Sequence, residues 1–246
     1  MSKRFKGELC VYCAERPSVS VDHVFAKKFF LPSDRDGLPQ VPACKQCNEE
    51  KSELEHYLTA LLPFGGRHES AKANFETMVP KRLKGNCKLH RQLTEGTRTV
   101  WSEEGEGLLV RAMTLPIDPA LLESFFAFVA RGLIWYHWRT YLTEGHSVVV
   151  IQLTAPEERL FDRHLLGLKP PARVEADLGN GTFSYEGAEG VDCPQVSLWR
   201  FSAFGGVKLG GDPKAPAETS SRIGVVTAPT QVVSNAGFGG KLEIGA

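Results

Sequence analysis

The 246-residue sequence predicts an α+β protein: a small N-terminal module, residues 1–66, followed by a larger α+β domain, residues 67–246. Three observations carry that expectation. Two Cys-x-x-Cys pairs, Cys10/Cys13 and Cys44/Cys47, lie within the first fifty residues. From Pro119 to Leu142 apolar residues recur at helical spacing (Leu122, Phe125, Phe126, Val129, Leu133, Trp135, Tyr136), as a long central helix of a second domain would show. Beyond that run, β-branched and aromatic segments alternate with Gly clusters, the pattern of short antiparallel strands.

The elements follow in order. The first cysteine pair sits in a knuckle-like turn, and alternating Val19 and Val21 after Pro17 predict a short strand ending at His23. Ala26 to Leu31 reads as a helical turn before Pro32, and Ser33 to Gln40 as a polar loop. From Asn48 a helix is predicted, with Leu54, Tyr57, Leu58, Leu61 and Leu62 recurring until Pro63 and Gly65-Gly66 stop it. Glu69 to Met78 predicts another helix. Asn86 to Thr99 and Gly107 to Thr114 read as strands around the turn-rich Glu103 to Gly107. Asp118 caps the central helix. Ser147 to Leu153, Gln195 to Phe201 and Arg222 to Val226 read as strands, and the Gly-rich tail from Gln231 as partly frayed.

At 42% hydrophobic and 24% charged residues, the composition is that of an ordinary soluble globular chain. Glu123, Ser124, Arg131, His137 and Arg139 interrupt the longest apolar stretch, so no membrane span or membrane partner is expected. The start, Met-Ser-Lys-Arg-Phe-Lys, is no hydrophobic leader, which predicts a cytoplasmic protein. Net charge is zero, against a dedicated nucleic-acid coat. Its distribution is uneven: residues 1–90 hold 15 Lys/Arg against 11 Asp/Glu, leaving a modest positive face available to phosphate.

Paired cysteines at x-x spacing suit a metal site better than disulfides, and four thiolates complete a tetrahedral zinc site. Cys10, Cys13, Cys44 and Cys47 are therefore expected to hold structural zinc, which a module with so small a core needs. Cys87 and Cys193 are expected to be small buried apolar residues. Between the pairs lie Asp22 and His23, and Asn48 directly follows Cys47. Hydrolysis of a phosphodiester needs a base for water and a cation at the leaving oxygen. An imidazole with an unperturbed pKa of about 6.5 suits the first task. Asp22 and the Asn48 amide oxygen suit a hard cation such as Mg²⁺. In the bland alternative Asp22 is a turn residue and Asn48 a helix cap. His56 lies eight residues past Asn48, about 12 Å along a helix, too far to share one ion with it. It is expected at the surface, Glu55 as a solvated carboxylate, and His137 as a satisfied core or boundary residue.

CVYC, VDHVFAKKF and VPACKQCNEEKSELE, over residues 9–58 and under a quarter of the chain, resemble the HNH (ββα-metal) endonucleases in their four-cysteine branch. The resemblance implies a ββα-metal module with His23 as general base, and with Asp22 and Asn48 holding a catalytic Mg²⁺ or Mn²⁺. It also implies Lys51 near the scissile phosphate and DNA as substrate. Lys27 is a second candidate for a substrate contact, and RNA is not excluded. The family's middle Asn, which orients the catalytic imidazole, is missing; Pro39 and Gln40 occupy that stretch, and the alternatives are a replacement amide from Gln40, a backbone carbonyl that orients the ring, or an inactive relic. The second domain, without a recognisable chemical motif, is expected to serve specificity, partner-protein contact or regulation. The competing function is a zinc-stabilised nucleic-acid- or protein-binding chain without catalysis.

Overall fold

The computed structural model describes residues 4–5, 7–104, 108–166, 172–190, 192–207 and 219–235. Strand β1 (Ser20–His23) pairs antiparallel with β2 (Gln40–Ala43), setting Asp22 opposite Val41 and His23 opposite Gln40. The link between them is taken up by two 3-10 turns, Lys27–Phe29 and Pro32–Asp34, and Phe29 and Phe30 are buried there. Helix α1 (Lys45–Leu61) follows β2 at once. It starts a turn earlier than expected, because the Cys44 sulfur accepts from the Cys47 N–H at 3.5 Å and caps it. Asn48 is consequently inside the first turn, donating its own N–H to the Cys44 carbonyl.

Next come three short helices, α2 (Glu69–Thr77), α3 (Val79–Gly85) and α4 (Cys87–Gly96). The strand expected from Asn86 is a helix as far as Gly96. The Asn86 side chain accepts from the Leu89 N–H, and Leu89 and Leu93, one turn apart, pack on Ala60 and Leu61 of α1. A capped Leu-x-x-x-Leu pair that meets an apolar neighbour wins over local strand preference. Strand pairing begins only with β3 (Arg98–Glu104) and β4 (Leu108–Thr114), a separate two-stranded hairpin. The centre of the expected turn, 105–107, lies outside the described residues.

The central helix, α5 (Pro119–Trp138), is capped by Asp118, whose carboxylate accepts from the Ala120 N–H. It ends before Leu142 because Arg139 takes a left-handed conformation, φ 57°. β5 (His146–Thr154), α6 (Ala155–Leu166), β6 (Arg173–Leu178), β7 (Phe183–Glu189), β8 (Ser197–Ala203), β9 (Thr219–Pro229) and α7 (Thr230–Asn235) complete the chain. The five strands form one antiparallel sheet in the order β5-β9-β8-β7-β6. The protein is α+β, as expected. Helices α6 and α7 were not anticipated. Of the Gly-rich tail, residues 236–246 lie outside the described residues. None of the described helices is long and apolar enough to cross a membrane.

Residue 66 marks no gap in packing. One hydrophobic cluster runs from Cys10, Phe25, Phe29 and Leu58 through Phe125, Phe126 and Trp135 of α5 to Phe183, Trp199 and Phe201 of the sheet. Phe29 meets Phe125 at 5.5 Å and Phe183 at 4.9 Å between ring centroids. Helix α5 comes close to the residue after His23: a Cβ on Gly132 would sit 2.9 Å from Val24 Cγ2, so this position favours glycine.

His137 is satisfied within this core, its Nε2 2.9 Å from the Tyr185 hydroxyl. Burial lowers its pKa to about 4. Because that lies below the ordinary 6.5 of an unfolded histidine, the folded state binds fewer protons between the two values. Its contribution is complete above pH 6.5 and lost as pH falls toward 4. Allowing for partial exposure, His137→Phe should remove on the order of 1–3 kcal/mol of the acid-induced loss, read from urea midpoints at pH 4.5 and 7.5.

Candidate functional site

Cys10 and Cys13 come from the N-terminal turn, Cys44 from the end of β2 and Cys47 from the first turn of α1. Their sulfurs all lie within 4.8 Å of one another, and Cys10, Cys44 and Cys47 are buried. Tetrahedral coordination with Zn–S of about 2.3 Å places sulfurs roughly 3.8 Å apart, so only a small contraction is required. The four cysteines can hold a metal ion such as zinc. The thiols differ in their surroundings: burial pushes Cys10 and Cys47 up, whereas the backbone N–H groups of Arg16 and Glu15, with the Arg16 guanidinium, outweigh burial at Cys13 and bring it down to about 7. Cys87 and Cys193, expected to be buried, are both exposed; Cys87, the first residue of α4, lines an open cleft beside Phe75, Val79 and Leu83, and Cys193 stands in the β7–β8 connection.

Sequence reading missed Arg16. Its Nη2 donates to Cys47 Sγ at 3.2 Å and its Nη1 to the Gln46 side chain. Four thiolates around a dication carry excess negative charge, and an N–H···S bond from a guanidinium offsets part of it. Such outer partners are worth ten- to a hundredfold in metal affinity. Arg16→Ala should therefore release zinc to a competing chelating dye at about ten- to a hundredfold lower dye concentration, with the far-UV CD of the metal-loaded protein unchanged.

On the other side of β1 the polar residues form a network. Tyr12 donates its hydroxyl to Asp22 Oδ2 at 2.6 Å. The Lys51 ammonium lies 3.0 Å from the same oxygen, donates to the His23 carbonyl at 2.8 Å, and pairs with Glu55 one turn further along α1. The Lys51 side chain is 0% exposed, and those of Asp22 and Glu55 are 13% and 12%. Lys51 is therefore not a phosphate contact. Its charge is spent on two carboxylates and a carbonyl beneath the surface, where an unpaired ammonium could not remain. Glu55, expected to be solvated, is part of the same network. Two carboxylates against one ammonium leave a surplus negative charge, and Glu55 has its pKa raised, by burial first and by Asp22 as well, against the pull of Lys51. Tyr12, inside the first Cys-x-x-Cys, carried no signal of its role. Glu55 carried one, four residues after Lys51.

The His23 ring is held on its strand partner: Gln40 Nε2 lies 2.8 Å from His23 Nε2. Arg4 donates to Gln40 Oε1. With its oxygen so engaged, the amide presents its NH₂ to the ring, making Nε2 the acceptor and Nδ1 the protonated nitrogen. Burial first, then the nearby Lys27, lowers the His23 pKa, so the ring is neutral near pH 7. Asn48 donates to Ser20 Oγ at 3.4 Å, and Ser20 shares a strand face with Asp22. Asp22 and Asn48 thus lie on the α1 side of β1, while the His23 ring, at the strand end, turns to Gln40. Lys27 is exposed on the 3-10 turn just beyond. His56 is exposed, with the Lys28 ammonium 3.0 Å from its Nε2. Compared with protein-family models, with characterised proteins and with solved structures, the chain matches none.

Proposed function

We propose that the chain is a metal-dependent endonuclease of HNH type acting on DNA, with zinc on the four cysteines as its structural ion. The observation that supports this most is the His23–Gln40 contact. A neutral imidazole is fixed at the end of a strand by an amide, beside a buried carboxylate network with surplus negative charge. Gln40 thereby stands where, with its amide turned over, it would supply the hydrogen bond that the missing Asn supplies in the family pattern.

His23 is the base. To take a proton from water at Nδ1, the ring must carry its proton on Nε2, and the Gln40 amide must present its oxygen there. That requires the amide to turn over and Arg4 to let go of Oε1, which an Arg4 contact to a backbone phosphate would accomplish. Asp22 and Asn48 would hold the divalent ion. Tyr12 and Lys51 both engage Asp22 through Oδ2, leaving Oδ1 for the cation, and a Mg²⁺ ion that keeps most of its waters needs few protein oxygens. When bound, the ion would neutralise charge on the leaving oxygen. Lys51 acts indirectly, fixing Asp22 and the His23 carbonyl. Lys27, exposed on the turn beyond His23, is available to meet phosphate.

The test is nicking of supercoiled plasmid with Mg²⁺ or Mn²⁺, beside an RNA substrate. His23→Ala should lose about 10²–10⁴-fold in rate, and Gln40→Ala on the order of 10²-fold. Nicking that survives His23→Ala removes this mechanism. A second reading, a zinc-stabilised binding protein without catalysis, has one observation in its favour: Asp22 already shares Oδ2 between Tyr12 and a fully buried lysine, as a structural carboxylate does. Absence of nicking with every metal supports that reading.

A further inference from the structure

We infer that helices α3 and α4 form a second phosphate-binding surface, contiguous with the candidate site, that takes the backbone of duplex DNA. This shares its polymer with the reading above but not its catalysis. Residues 81–91 contain Lys81, Arg82, Lys84, Lys88 and Arg91 and no Asp or Glu, in a chain whose net charge is zero. Lys81 and Lys84 are three apart on α3, and Lys88 and Arg91 three apart on α4, so each pair shares a helix face. All four are exposed. Among the described residues none of the four takes part in an ion pair. Glu76 and Glu95 lie outside the row, in α2 and near the end of α4.

The fifth cation explains how the row is oriented. Arg82 Nη1 donates to the Thr59 carbonyl at 2.5 Å, and Nη2 donates to the Lys28 carbonyl. Its guanidinium is therefore consumed in lashing α3 to the 3-10 turn that carries Lys27 and Lys28. Lys27 in turn is close enough to His23 to lower its pKa. The positive row accordingly runs from the edge of the candidate site outward over two helices. A basic amphipathic helix can also mark a membrane-surface segment. Here the apolar side of α4 is already occupied, Leu89 and Leu93 being buried on Ala60 and Leu61. Outward, α3 and α4 also border an apolar cleft lined by Phe64, Phe75, Val79 and Leu83, but the row itself is exposed cations throughout, and that suits a polyanion.

The experiment is fluorescence anisotropy of a labelled 20-base-pair DNA duplex, with full-length protein over a series of KCl concentrations. Each lost phosphate contact should lower the slope of log K against log salt by about 0.9. Replacing Lys81, Lys84, Lys88 and Arg91 together by Gln is expected to lower it by about 2–4 and to weaken binding at least tenfold. Lys88→Gln with Arg91→Gln should give about half that change. Arg159→Gln with Arg163→Gln, exposed cations on α6, should change neither quantity. Binding is read here without Mg²⁺ or Mn²⁺, and cleavage in the separate nicking assay, so loss of cleavage and loss of binding report on different claims. A quadruple variant with parental CD, affinity and slope would overturn the proposal. So would binding confined to duplex RNA, or to phosphatidylserine vesicles.

Discussion

Removing the metal by chelation, or replacing Cys44 by Ser, is expected to unfold the N-terminal end of the chain and to melt the rest at a markedly lower temperature. A structural zinc site of four thiolates contributes about 10–16 kcal/mol of apparent binding free energy. A whole domain has only about 5–15 kcal/mol of net stability. Cys44 is the most sensitive of the four positions because it does two tasks. It belongs to the cluster that can hold the ion, and its sulfur caps α1 through the Cys47 N–H. Without it β2 and α1 lose their junction, and Phe25, Phe29 and Phe30 lose the turn that presents them to α5 and β7. Near-UV CD and a thermal melt before and after chelation, with the released zinc counted at one equivalent, are the measurements. A melting curve indifferent to metal would show that the sulfurs cluster for packing alone.

Lys51→Met is expected to cost about 3–5 kcal/mol, the penalty for stripping the partner from buried charges. In a chain of this size that amounts to a fall in Tm of roughly 6–20 °C. Asp22 and Glu55 would then face each other with Tyr12 alone as donor. Two dependences separate this from a simple packing defect. The deficit should shrink on acidification, because the folded variant holds a proton on Glu55 that the unfolded chain has released: a folded pKa raised above the unfolded value makes stability fall as pH rises between the two. Millimolar Mg²⁺ should also raise the Tm of Lys51→Met more than that of the parent, since a cation on Asp22 replaces the lost ammonium charge. A deficit independent of both pH and magnesium would mean that the network is not held by charge.

The same residues show what the sequence made legible. The meeting of four cysteines could be read from spacing, because two Cys-x-x-Cys knuckles can close on one ion only by bringing two distant turns together; β2 came only with the family resemblance, since its first residue, Gln40, reads as the end of a polar loop. The Gln40–His23 contact was readable as one option, since Gln40 occupies the neighbourhood of the missing Asn. Lys51 was not readable. Whether a lysine on a helix faces solvent or a buried carboxylate depends on what lies across from it, and here Asp22 and Tyr12 come from segments some thirty to forty residues away. Helix α4 was misjudged for a related reason: its Leu89 and Leu93 are committed to a helix only once α1 offers Ala60 and Leu61. The exposed cysteines, Cys87 and Cys193, follow the same rule, as their surroundings rather than their own polarity decide their burial.

The continuous aromatic interior bears on how this chain could be taken apart or transplanted. A fragment ending after residue 66 would carry three phenylalanines stripped of the rings that now cover them, a sticky patch in place of a finished surface. The portion that remained would be left with bare faces on Phe125 and Phe183. Grafting the cysteine-stapled segment onto another scaffold would therefore require bringing the long helix and part of the large sheet with it, so whatever chemistry resides at one end is inherited only by the intact polypeptide.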